Sequence, residues 1–413
     1  MVKNAGPSLW ADAEFRAYMW ATAFTTLAFS MQQLLTNVLF IDQLNASASQ
    51  VGLAQAVIGL PGLVLMLWGG ANADRVDGRG LLIRVYALMA LPSLLLAAAG
   101  YVGALHFWTV MLWGLLISAG NSISSPALQA MLNRICGAQV QQGVTTATII
   151  GFMVQMCGLM LAGQIDAMGT TSVLLMQALL ILIGAAMVTR LTPAPIAVLP
   201  GSEKISTLSN IGAGLKAVWR DPIVMNLMAL NFLSMLFNAG AFAIVFPFLI
   251  LKAYQGDPHF LAVMMVVFFG GATASNFLLL QFMPIQRLGR LFLLMQLTRI
   301  IVLLGLWSQP GPIVLALFTF LWGVNMGITS TTARAIVQER AEPEFRGRVM
   351  SVLNLGFLGA APFAALMLGA FVEWVGPVNA LLPGVLASVV IFGYGVMATG
   401  IWHAESPLAA PAL

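Results

Sequence analysis

What most limits the folds open to this chain is its succession of long apolar runs, interrupted only by short clusters of charge, proline and glycine. Divided at those breaks, the runs predict helical spans near 15–41, 48–72, 80–104, 107–132, 142–166, 170–191, 222–250, 259–283, 288–307, 312–335, 346–372 and 377–402. A helix needs roughly 20 mostly apolar residues to cross a bilayer. Lipid also forces every backbone group to be satisfied internally, which leaves helices or closed barrels. The expectation is an all-α membrane protein with twelve transmembrane helices. Only 8% of the 413 residues are charged and 60% are hydrophobic, whereas a soluble domain carries about a quarter charged residues. No large soluble domain fits between the spans. The opening MVKNAGPSLWADAEFR has no small-residue cleavage site after a short apolar run, so the first span is expected to stay in the mature chain. Cys136 and Cys157 have no metal-ligand spacing and no companion histidines, so neither a metal site, a disulfide framework nor a cofactor is expected.

The charges that remain set the orientation. With the N-terminus in the cytosol, about 17 of the 18 Lys and Arg fall in cytosolic loops or in the cytosolic halves of spans, Lys252 being the exception. The positive-inside rule therefore places both termini in the cytosol, and the net charge of +4 reports topology rather than nucleic-acid binding. One connection is long: 192-TPAPIAVLPGSEKISTLSNIGAGLKAVWRDP-222, proline-rich and then amphipathic around Leu215, Val218 and Trp219. It suggests six spans in 1–191, a cytosolic linker in 192–221 and six spans in 222–413. A repeat supports the division, since QAMLNRICGAQVQQGVTTATIIGF lies about 205 positions before RAIVQERAEPEFRGRVMSVLNLGF, and Arg79 has a counterpart in Arg290. Repeated membrane halves commonly place one site near the middle of the bilayer.

The loop after the second span, 69-GGANADRVDGRGLL-82, concentrates charge in a chain that has little. Its pattern is G-x-x-x-D-R-x-x-G-R, carried by Gly70, Asp74, Arg75 and Arg79, and there the chain resembles the major facilitator superfamily. The resemblance extends to 15-FRAYMWATAF-24, 214-GLKAVWRDP-222 and 338-QERAEPEFRGRVMSVLNLGFLGAAP-362, and is nearest to the bacterial branch of the enterobactin exporter and related efflux proteins. It implies two pseudo-symmetric six-helix bundles working by alternating access in the bacterial inner membrane, and a monomer. It also implies that Asp74 meets the start of span 11, near Glu344 to Gly347, where Arg346 and Arg348 complete a conformational latch. A carboxylate against a helix N-terminus gains a charge-assisted contact, and one joining the two halves on the cytosolic side forms only when that side is closed. An ordinary charged turn is the alternative.

Polar residues within the spans fall in stripes. Span 1 carries Thr22, Thr26, Ser30, Gln33 and Asn37 at helical spacing. Span 4 carries Ser118, Ser122, Ser125 and Gln129 with Asn121 beside them, span 7 Asn231, Ser234 and Asn238, and span 10 Trp322, Asn325, Thr329 and Thr332. Such faces turn away from lipid, and the resemblance implies that these four spans line the central cavity. The candidate solute-binding set is Ser30, Gln33, Asn37, Asn121, Ser125, Asn238, Trp322, Asn325 and Thr329. The competing reading is interhelical glue, worth about 0.6 kcal/mol per group, and it suits the Ser and Thr side chains better than the amides.

No Asp, Glu or His falls in the middle third of any span. A buried carboxylate is the usual cation receptor or proton carrier. Its absence points to a neutral or weakly anionic organic solute with an apolar or aromatic part, and leaves coupling to protons open. Arg299 is the charge clearly within a span; it can meet an anion or snorkel to the interface. Arg334, at the inner end of span 10, is a candidate for gating or anion contact. Glycines in 151-GFMVQMCGLMLAGQI-165 are expected to pack against 270-GGATAS-275. The function expected is secondary transport, with efflux favoured by the resemblance and import of a neutral aromatic metabolite such as a vitamin as the alternative. A transporter-fold sensor fits the short tail HAESPLAAPAL poorly, and no nucleophile, metal cluster or acid–base pair suggests an enzyme.

Overall fold

The structure, a computed structural model, describes residues 9–69, 77–193, 207–282, 285–342 and 344–403. Among the described residues every regular element is helical. The main helices are α1 (Ala13–Asn37), α2 (Ala48–Gly69), α3 (Gly78–Tyr101), α4 (Phe107–Cys136), α5 (Val140–Ala162) and α6 (Thr170–Val188). After the linker follow α7 (Pro222–Gly240), α8 (Pro258–Phe282), α9 (Leu288–Trp307), α10 (Pro312–Arg340), α11 (Arg346–Asn379) and α12 (Leu382–Ala398). Among the described residues ten helical stretches are long and apolar enough to cross a membrane; one of them, Phe107–Ala162, contains both α4 and α5, and the 17-residue α12 is apolar but shorter. The twelve helices are those expected from the apolar runs. Where the runs left a boundary between spans 11 and 12, Gly376 at φ 81° followed by Pro377 breaks the helix, because a left-handed residue admits glycine readily and proline cannot continue the ladder.

Starts and ends repeat between the halves. Asp12 caps α1, accepting from Glu14 N (2.8 Å), and Asp221 caps α7, accepting from Ile223 N (2.9 Å), so each half opens on an aspartate N-cap. Both first helices then loosen into π-helix, Val38–Gln43 after α1 and Ala241–Val245 and Leu249–Ala253 after α7. Each is followed by a left-handed non-glycine residue, Asn45 at φ 46° and Gln255 at φ 52°. The next helix starts on Ser47 with Gln50 in one half and on Asp257 in the other.

The chain divides into two compact units, residues 1–45 with 64–204 and residues 46–63 with 205–413. In the first, α1 packs on α5 and α6, and α3 on α4 and α6. In the second, α8 and α9 pack on α10, α12 packs on α9, and α11 packs on α7. The N-terminal part of α2 belongs to this second unit: Gly52 lies against the Ala365 carbonyl, and a Cβ on Gly369 would meet Ala48 O at 2.7 Å. Two small residues thus let α2 and α11 approach backbone to backbone.

The linker helix, Thr207–Arg220, rests on α11. Its inward face differs from the expected one. A Cβ on Gly214 would meet Arg348 O at 2.6 Å and Val218 is buried, while Leu215 and Trp219 point outward. Small residues permit the close approach; the bulky apolar ones are left for the surroundings. The glycine runs also find other partners than each other: Gly158 meets Leu27 and Ser30 of α1, and Gly271 meets Phe320 of α10, each within its own unit.

Candidate functional site

In the second unit the polar stripes of α7 and α10 are buried together around Arg299 of α9. The guanidinium is 2% exposed; it does not extend toward an end of the helix but turns into the bundle. Its Nε donates to Asn325 Oδ1 (3.2 Å) and its Nη1 to Ser234 Oγ (2.5 Å), while Nη2 has no hydrogen-bond partner among the described residues. The Asn325 amide is committed on both sides, its Nδ2 donating to Met295 O (2.5 Å) and Thr298 Oγ1 (2.7 Å). One turn along α7 from Ser234, Asn238 Oδ1 accepts from Trp322 Nε1 at 2.6 Å. Trp322 is fully buried and meets Phe246 and Phe268 edge-on, with ring centroids 5.6 and 5.4 Å away, and Phe242 stacks on Phe268 at 4.1 Å. Thr329 returns its hydroxyl to Asn325 O. Asn238, Trp322, Asn325 and Thr329 are therefore brought together, and each is hydrogen-bonded inside the unit.

The first unit treats its polar residues differently. Trp113 of α4 donates to Ser93 Oγ of α3 (3.1 Å), Ser93 donates to Gln177 Oε1 of α6 (3.1 Å), and Gln177 Nε2 donates to Ala28 O of α1 (3.0 Å). Gln32 donates to Gly114 O (3.0 Å). This relay ties four helices with neutral groups. The face of α4 carrying Asn121, Ser125 and Gln129 is exposed, and it lies well round the helix from the exposed apolar face of Leu112, Leu116 and Ile123. On α1, Ser30 packs over Gly158 and donates to Thr26 O one turn earlier, Asn37 is buried and donates to Gln33 O, and Gln33 is half-buried. Ser30 thus sits where a helix contact is made; Gln33, Asn121 and Ser125 keep accessible surface.

Of the residues expected to form a latch, Gly70, Asp74 and Arg75 lie outside the described residues. Arg79 donates through Nη2 to Thr189 O (2.6 Å) just past the end of α6, where a cation faces the negative end of the helix. Its counterpart Arg290 lies over the Trp402 ring at 5.1 Å, beyond the end of α12, so both arginines hold the end of the last helix of their half. Arg346 is exposed, Arg348 lies over Phe345 at 5.5 Å, and Arg334 is exposed with its guanidinium 5.3 Å over Phe357.

Three charged contacts were not read from the sequence. Glu14 pairs with Arg134 (2.5 Å), joining the start of α1 to the end of α4, and also accepts from Thr192 N (3.0 Å). Asp221 pairs with Arg340 (2.9 Å), joining the start of α7 to the end of α10. The two pairs occupy matching places in the repeat, which is the signal that would have found them. Third, Glu373 near the end of α11 accepts from Ser49 N (2.9 Å) in the first turn of α2, a carboxylate on a helix N-terminus. Among the described residues no three His, Cys, Asp or Glu side chains gather in a way that could hold a metal.

The family model of the Major Facilitator Superfamily matches residues 18–365. Macrolide efflux protein A of Streptococcus pyogenes is 20% identical over 367 residues, covering 87% of this chain and 89% of that protein. Among solved structures, a mutant of the nucleoside transporter NupG aligns with a TM-score of 0.78 at 14% identity, covering 93% of this chain and 99% of that one. A D-xylose–proton symporter aligns with a TM-score of 0.66 at 12% identity, covering 92% and 98%.

Proposed function

The chain belongs to the Major Facilitator Superfamily and is a multi-pass membrane transporter rather than an enzyme, and from that premise we propose that it moves a small organic solute, neutral or weakly anionic and partly apolar or aromatic, by alternating access. The observation that carries the reading is the exposed Asn121–Ser125–Gln129 face of α4. A spanning helix that keeps amides and hydroxyls accessible, apart from its apolar face, suits contact with a polar ligand or water better than contact with lipid. Gln33 and Asn37 of α1, Ser30 beside them, and Asn238, Trp322, Asn325 and Thr329 complete the candidate solute set.

Outward transport is the direction we favour, supported by the likeness to a macrolide efflux protein over 87% of this chain. Import or facilitated passage of a neutral aromatic metabolite is the second reading; it is favoured by the lack of Asp and Glu in the middle of the spans and by the fold shared with a nucleoside transporter. Proton coupling, in either direction, would have to run without a mid-span carboxylate. The working protein is a monomer in the bacterial inner membrane with both termini cytosolic, and its bundles comprise 1–191 and 222–413 joined by 192–221. Gly70, Asp74, Arg75 and Arg79 act with Arg346 and Arg348 as the cytosolic latch, while Arg334 contributes to gating.

Flux in proteoliposomes tests the assignment. Macrolides, nucleosides and small aromatic acids would be offered from either side, with and without a pH gradient. Saturable movement of at least one class is expected, lowered by Asn121→Leu; no movement of any class by well-folded protein would sink it. Asp74→Asn should raise the reactivity of cysteines placed on the cytosolic side, because the latch then loses its charge; unchanged reactivity counts against the latch.

A further inference from the structure

Arg299 carries a full positive charge in the interior of the second unit, and the groups around it do not balance that charge. Its two hydrogen-bonded acceptors, Asn325 Oδ1 and Ser234 Oγ, are neutral. The ion pairs Glu14–Arg134 and Asp221–Arg340 do not involve it. The sequence makes the imbalance general: α7, α8, α9 and α12 contain no Asp or Glu, and α10 has only Glu339 near its C-terminal end, far from Asn325 along the helix. Taking an unpaired charge out of water is among the most costly events in folding, and membrane-buried charges accordingly pair with something.

The surplus of donors points the same way. Arg299 Nη2 is buried without a hydrogen-bond partner, and so is Asn238 Nδ2, whose own oxygen is taken by Trp322. One turn nearer the N-terminal ends of α7 and α9 than Ser234 and Arg299, Asn231 Oδ1 and Gln296 Oε1 are buried acceptors without a partner among the described residues, positions that suit water. Arg299 and Asn238 thus offer free N–H groups, and Asn231 and Gln296 free acceptors, inside the same unit.

We propose that Arg299 is the receptor of a monovalent anion inside the second bundle, either a carboxylate of the transported solute or a chloride from the medium, with Nη2 as the charged donor. This deepens the transport reading and rests on it only for the carboxylate case. The anion supplies the charge that α7, α9 and α10 lack, and Asn325 and Ser234 hold the guanidinium so that Nη2 faces it. Because Asn325 is in a lining stripe, occupancy at Arg299 would be felt at the solute path.

The test is the thermal unfolding midpoint of the purified full-length protein, titrated at constant ionic strength with sodium chloride or sodium benzoate against a sodium HEPES background, whose anion is bulky. A saturable rise of about 2–5 °C is expected with one anion or both. A rise with chloride alone assigns the inorganic occupant, and a rise with benzoate alone the organic one. Arg299→Gln should abolish the rise, Arg299→Lys keep a weaker one, and Arg340→Gln leave it unchanged. Equal midpoints in all three salts, or a rise that survives in Arg299→Gln, overturns the proposal; the wild-type titration decides even if the glutamine variant fails to fold. Flux is a separate readout: a flat titration with flux intact removes the anion site alone, and absent flux with an intact titration removes the transport reading alone.

Discussion

Trp113 and Trp322 stand in matching stretches, 112-LWGLLIS-118 and 321-LWGVNMG-327, and Ser93 and Arg299 do the same in 86-YALMALPS-93 and 292-FLLMQLTR-299. The halves use these equivalent places differently. In the first, tryptophan, serine and glutamine form a neutral relay that satisfies itself, and the two amides and the hydroxyl of the α4 face at Asn121, Ser125 and Gln129 are left exposed. In the second, an arginine stands where the serine was, and the α10 amide Asn325 is used to hold it. A repeated scaffold therefore keeps its geometry while its polar interior diverges: one half presents hydrogen-bonding groups, the other stores charge.

The largest expected effect comes from erasing that difference. Ser93→Arg places a second charge in the first unit, where Ala28 stands in place of Ser234 as the α1 partner, and should cost about 3 kcal/mol or more, seen as loss of monodisperse protein. Near-normal yield would mean that the first bundle tolerates charge as well as the second. Trp322→Phe and Trp113→Phe each remove one buried donor, an expected loss of about 1–3 kcal/mol. The second unit should suffer more, because Trp322 also anchors Phe246 and Phe268; equal losses in denaturant melts would deny the aromatic cluster any special part. Glu14→Gln and Asp221→Asn break half-exposed ion pairs in matching places. Each should cost no more than about 1 kcal/mol, and a much greater loss for one would expose an asymmetry that the geometry does not contain. Smallest is Asn121→Leu, within about 0.5 kcal/mol while solute flux falls; a stability loss comparable to the tryptophan variants would recast that face as packing.

Much of this is legible in the amino-acid sequence itself. Apolar length marked the twelve helices, because lipid leaves a chain few ways to satisfy its backbone, and three- and four-residue spacing marked the stripes on α1, α4, α7 and α10. What spacing cannot convey is the neighbour. Asn121 and Asn325 look alike in sequence, yet one is exposed and the other is claimed by Arg299 from a helix 26 positions away. Ser93 and Gln177 are lone polar residues in apolar runs with no periodicity to flag them, although they link three helices to Trp113. Glu373 could be placed near a helix end, but not on Ser49, which lies 324 positions earlier.

The π-helical ends of α1 and α7 have a further consequence. Val38 to Ile41, and likewise Leu249 to Leu251, are buried one after another, as are Leu34 to Asn37 and Phe246 to Phe248 just before them. The wider winding thus falls inside stretches that are covered all the way round. It also means that removing a single residue between 38 and 43 would rewind the tip to ordinary pitch and swing Asp42 by about 100°, turning one exposed acid toward packed hydrocarbon. The halves should accept length changes in the connections that follow these tips far more readily than in the tips themselves.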